Sequence, residues 1–114
     1  MVQDINPDNY HIVLNTCPDI EVAKNLATVL VQHKLAACIN IIPGITSIYE
    51  WEGKLESGTE CLLMIKSIKS CYSRLEKIIR DSHPYELPEI ITVPVSGGLN
   101  NYLIWLGQQC KENL

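Results

Sequence analysis

His83, Tyr85, Glu86 and Glu89 fall within one short stretch, "SHPYELPE" at 82–89, with Pro84 and Pro88 between them. An imidazole, a phenol and two carboxylates are groups that ligate metals or pass protons. Proline fixes φ and removes a backbone donor, and it pushes the preceding residue into extended geometry. His83 and Leu87 therefore belong to a stiff, non-helical segment. It reads either as a rigid mount for its polar groups or as a connector from helix to strand. In the second reading His83 caps the helix end, where the dipole favours a cation. Imidazole and carboxylate suit copper(II), and thiolate suits copper(I). No His-Glu-x-x-His, paired-cysteine or EF-hand pattern supplies a complete cage. One histidine with carboxylates is a partial ligand set, to be completed from elsewhere in the fold or from another copy. Lys66, which closes the apolar run "LLMIK", reads as a lysine reaching a pocket rim or an anion. His11 at a strand start and His33 on a polar helix face read as structural, and Glu50, Glu52 and Glu56 as a solvated hairpin face.

The elements that must position these groups lie in one domain over residues 1–114, with 1–9 expected as a flexible arm. The chain is 46% hydrophobic and contains no Phe, so Ile, Leu, Val and Ala must build its core. Its net charge of -4, with no run of Lys or Arg, argues against nucleic acid and against an anionic membrane surface. No apolar run approaches the ~20 residues of a spanning helix. The five cysteines are odd in number and have no CxxC spacing, which argues against a disulfide framework or a zinc ribbon. With no signal-peptide pattern at the start, the reading is a soluble, cytoplasmic protein.

"YHIVLNTC" reads as a first strand. "PDIE" opens a helix to about residue 34, with Ala23, Leu26, Ala27 and Leu30 on one face. "LAACINII" reads as a strand buried on both faces, broken or bent at Pro43–Gly44. Period-two alternation in "ITSIYEWEGKLE" puts Tyr49, Trp51 and Leu55 on one side. "ESGTE" reads as the turn of a long hairpin over 45–68. "SCYSRLEKIIRDSH" reads as a second helix that must stop before Pro84. "EIITVPV" reads as a strand whose Pro94 marks a sheet edge or a bulge. "LNNYLIWLGQQCKEN" gives a last helix with Leu99, Leu103, Leu106 and Cys110 on one face. The order predicts an α+β, ferredoxin-like β-α-β-β-α-β fold with an antiparallel sheet and an extra C-terminal helix. Two helices cover one sheet face, and the third is too short to hide the other. Uncovered apolar faces and strand edges favour association between copies.

The stretches "KLAACINIIPGITSIYEWEGKLE", "LLMIKS", "HPYELPEIITVPV" and "YLIWL", in this order and spacing, resemble the CutA family of divalent-cation tolerance proteins. The resemblance covers residues 11 to about 107. It implies a compact homotrimer similar in build to the PII signalling proteins, with sheets facing inward and Tyr49 and Trp51 near a subunit junction. It also implies a link to copper or other divalent cations. Where some members have a cysteine in the first strand and a second histidine before His-Pro-Tyr, this chain has Asn15 and Ser82. His83 keeps its type, and Cys17 is the nearest thiol. The implied metal set is His83, Glu86 and Cys17, in a cleft with Tyr85, Glu89, Lys66, Tyr49 and Trp51.

Three functions compete: a divalent-metal binding protein, a PII-like regulatory trimer that binds a small ligand or a protein partner at subunit clefts, and an enzyme. Without a glycine-rich phosphate loop or a recognisable nucleophile–base pair, the first is preferred and the enzyme ranks last.

Overall fold

A computed structural model describes residues 6–110. Its main elements are β1 (Tyr10–Cys17), α1 (Ile20–Gln32), β2 (Cys38–Trp51), β3 (Lys54–Ile68), α2 (Tyr72–Ser82), β4 (Ile90–Pro94) and α3 (Asn100–Gln109). Single 3₁₀ turns occupy Pro7–Asn9 and Lys69–Cys71. The first of these turns falls within the expected arm, and residues 1–5 lie outside the described part.

The four strands form one sheet in the order β2-β3-β1-β4, with every neighbouring pair antiparallel. This is the expected split βαβ arrangement. The Asp19 carboxylate caps α1 by accepting from the Val22 N–H at 2.9 Å, which satisfies one of the helix's unpaired donors. At its other end α1 closes with bonds from Lys34 N–H to Val31 and from Leu35 N–H to Leu30. Lys34 takes the left-handed position there, with φ 61°, where glycine is usual.

α1 and α2 cover one sheet face. Leu30, Leu75 and Ile79 from these helices pack with Val13, Leu63 and Ile65 from β1 and β3, all fully buried. The opposite face has Ile12, Leu14, Met64, Lys66, Ile91 and Val93 in mutual register. On it Ile91 is 53% exposed and Val93 40%, so the face is largely uncovered. α3 reaches only one end of the sheet, where Gly107 lies so close to Tyr10 that a Cβ would sit 3.1 Å from the Tyr10 hydroxyl.

The structure differs from the sequence reading in four places. The hairpin turns at Glu52–Gly53, both with positive φ (51° and 78°), and "ESGTE" lies inside β3. Two consecutive positive-φ residues suit a two-residue hairpin turn, which outweighs the turn composition of Ser-Gly. Because Trp51 pairs with Lys54 and Glu50 with Leu55, Leu55 faces away from Tyr49 and Trp51. β2 is an edge strand in the single chain, with Ile42 42% exposed, whereas burial on both faces was expected. It continues past Pro43–Gly44 through a bulge between Ile42 and Ile45. Leu99, expected on the buried face of the last helix, is its exposed N-cap residue.

Beyond the bulge the hairpin projects from the body. The radius of gyration is 15.2 Å, above the ~13 Å of a compact domain of similar length. No helix among the described residues is long and apolar enough to cross a membrane.

Candidate functional site

α2 ends at His83, whose N–H closes the last turn on Ile79 O at 2.8 Å. Its backbone is already extended, with φ -79° and ψ 138°, as the following Pro84 requires. The ring then turns into the protein. Nδ1 accepts from the Tyr85 N–H at 3.1 Å, which leaves Nε2 to carry the proton and donate to Thr16 O at 2.7 Å. Both nitrogens of this buried imidazole are thus engaged by backbone, and one tautomer is selected.

The far end of the loop is pinned as well. Asn15 Nδ2 donates to Glu89 O at 2.8 Å, while Asn15 Oδ1 accepts from the Cys17 thiol at 3.3 Å. The end of β1 therefore holds the loop at both ends, through Thr16 and Asn15. The proline-bracketed segment is pinned to β1 near both ends, and His83 is the C-cap residue of α2 through its backbone. Its ring, engaged by Tyr85 N–H and Thr16 O, is not the cation at the helix end that the capping reading expected.

Between these anchors Tyr85 tilts against His83, with ring centroids 4.7 Å apart. Its hydroxyl donates to Glu60 Oε2 at 2.6 Å. Burial first, and then this carboxylate, hold the Tyr85 hydroxyl well above its ordinary range; Tyr49 and Cys17 add to the effect. Burial pushes the Cys17 thiol up to about 11, with Cys61, Asp19 and Glu60 contributing.

The remaining groups lie apart. Glu86 is exposed and lines a shallow cavity of about 590 Å³ with Tyr72, Glu76, Arg80, Asp81 and Leu87. Glu89 joins through its backbone carbonyl, and its side chain is exposed. Lys66 stands on the open face with Nζ 5.8 Å from the Tyr102 ring centre. Trp51 lies towards the hairpin tip. No group of three or more His, Cys, Asp or Glu that could hold a metal occurs among the described residues. One chain thus brings His83, Tyr85 and Cys17 to the end of β1 but does not bring Glu86 to them.

Glu60 and Thr16 belong to this site and are not singled out by the sequence, while Asn15 is marked there only as the residue at the position of the family's first-strand cysteine. Glu60 hides in a stretch that reads as a turn. Its signal is its place next to the apolar strand "CLLMI". Thr16 enters through a carbonyl, which no side-chain pattern reveals.

A split βαβ sheet with one open face, a projecting hairpin and a polar loop pinned at the end of β1 defines a small class of α+β proteins. The family model for the CutA1 divalent ion tolerance protein matches residues 11–109, and the chain belongs to that family. It is 55% identical over 97 residues to the Protein CutA homolog of Xenopus laevis, covering 85% of this chain and 64% of that relative. The chain therefore spans less than two thirds of that relative's length. It is 43% identical over 95 residues to the divalent-cation tolerance protein CutA of Thermus thermophilus, covering 83% of this chain and 92% of the relative. The crystal structure of CutA1 from Oryza sativa superposes with a TM-score of 0.89 at 41% identity, over 92% of this chain and 96% of that one. These relatives are named for tolerance of divalent cations or for the family, and none of the three is named as an enzyme.

Proposed function

We propose that this chain is a copper or divalent-cation binding tolerance protein that works as a homotrimer, with the loop carrying His83 at the rim of an inter-subunit cleft. The uncovered apolar sheet face carries the assembly half of this reading. Ile91 and Val93 are half-exposed there, and by register Tyr49 and Trp51 continue the same face along the hairpin. Water contact with such a face is unfavourable, and pairing copies removes it.

Family membership supports the metal half, together with a fixed imidazole that faces β1. Nδ1 is the unprotonated nitrogen, so a copper ion would take the place of the Tyr85 N–H. Copper(II) suits that nitrogen with carboxylate partners. A set using Glu86 or Cys17 would need groups from a second copy or a shift of the loop. Calorimetric titration with copper tests this. Replacing His83 by Ala should weaken binding while leaving assembly intact; unchanged binding would remove His83 from the site.

A second reading is a PII-like regulatory trimer with a small ligand in the cleft. The position of Lys66 favours it. It is a half-buried cation on an apolar face with its Nζ 5.8 Å from the Tyr102 ring centre, which suits an anionic group. Binding of small anions without copper, lost in Lys66→Met, would favour this reading over the metal one.

A further inference from the structure

We propose that Cys17 and Cys61 are a redox-active thiol pair that closes to a disulfide between β1 and β3 when the protein meets a low-molecular-weight disulfide oxidant. The two are far apart in sequence and match no dithiol motif, but the fold makes them directly opposed partners, the last pair of the β1–β3 ladder. Opposed Cα atoms in an antiparallel pair lie about 4.5–5.5 Å apart, within the roughly 4.4–6.8 Å that a disulfide spans. Opposed residues also project to the same face, here the one under the helices. Both side chains are buried, at 0% and 4% exposure, and both are free thiols.

In the reaction, the thiolate of one cysteine attacks glutathione disulfide. A mixed disulfide forms and one glutathione leaves. The facing thiol then attacks the protein sulfur of that mixed disulfide and expels the second glutathione. The cysteines lose two electrons to the oxidant, and their two protons end on the two released glutathiones. Burial pushes the Cys17 thiol up and makes its thiolate scarce, so attack from Cys17 is slow and proceeds when the strand end frays. The second step is favoured because the partner thiol is already adjacent. Closure also withdraws the Cys17 thiol from Asn15 Oδ1, and Asn15 pins the loop at Glu89. The oxidation state is thereby coupled to the loop that carries His83 and Tyr85.

Cys71 and Cys110 provide a competing pair within the molecule. The Cys110 thiol hydrogen-bonds with Ser67 and Cys71, but these cysteines sit on a turn and a helix end without a ladder to fix their register. The test is to equilibrate the full chain in glutathione buffers from reducing to oxidising, trap free thiols by alkylation and map peptides by mass. A Cys17–Cys61 linked peptide should rise with the oxidising ratio and disappear on dithiothreitol treatment. Cys61→Ala should leave Cys17 alkylated or as a mixed disulfide with glutathione. Alkylation of both residues across the whole range would overturn the proposal. So would a disulfide confined to Cys71 and Cys110.

Discussion

The Tyr85 hydroxyl lies 2.6 Å from Glu60 Oε2, and this hydrogen bond ties the loop after α2 to the base of the hairpin in β3. Replacing Tyr85 by Phe leaves a half-buried carboxylate without its donor, so stability should fall by about 1–2 kcal/mol. Urea denaturation of Tyr85→Phe, Glu60→Gln and the double variant should show coupling between the two sites. Additive losses would mean that the contact contributes nothing of its own.

His11 gives the fold an acid limit. It is 3% exposed, and its Nε2 has no hydrogen-bond partner among the described residues. Its ring meets Tyr72 edge-on at 5.9 Å. Burial, and then Lys69, hold its pKa below the ordinary 6.5. The neutral form is therefore the one that folding favours. Its stabilisation is complete above pH 6.5 and is lost as pH falls through the lower folded value. Thermal melts between pH 8 and pH 4 should show this decline (pH range spanning ordinary His and carboxylate titration, roughly). His11→Leu should flatten the portion near and just below the ordinary His value. Identical acid slopes in the two proteins would contradict this account.

Among the described residues two non-glycine positions hold left-handed backbone, Lys34 at φ 61° and Glu52 at φ 51°. Lys34→Gly should stabilise by about 0.5–1 kcal/mol, the relieved strain less the added chain entropy. Glu52→Asn should act in the same direction, because Asn-Gly suits this hairpin turn. Denaturant midpoints are the readout, and a loss of stability in both variants would count against the assigned turn geometry.

Much of the fold is legible in the sequence. The apolar spacing of Ala23, Leu26 and Leu30 marks α1, and Pro84 marks the end of α2. Pro94 marks an edge strand, as β4 is. The hairpin turn is less legible, because Ser57–Gly58 has turn composition while Glu52 adopts a conformation that its residue type disfavours. That single misplacement also reversed the face assigned to Leu55. At the site, side-chain chemistry singles out His83 and Tyr85. Their partners are a carbonyl at Thr16 and a carboxylate at Glu60, brought to them by strand register and loop path rather than by sequence proximity.

Trp51 should matter for assembly more than for the stability of one chain. It is 41% exposed, on the face of the hairpin that continues the open side of the sheet. Trp51→Lys would place a charge in an apolar junction, so its complex should dissociate at higher protein concentration than the parent's. Equal dissociation concentrations would place Trp51 outside the interface.

Sedimentation equilibrium across a falling concentration series tests the central claim most directly. If copies of the chain cover the open face of Ile12, Leu14, Met64, Ile91 and Val93, the particle should weigh three times the chain mass. Folded monomer should not accumulate on dilution, since folding and assembly are then linked. A particle of one chain mass, folded by circular dichroism at low concentration, would contradict the account.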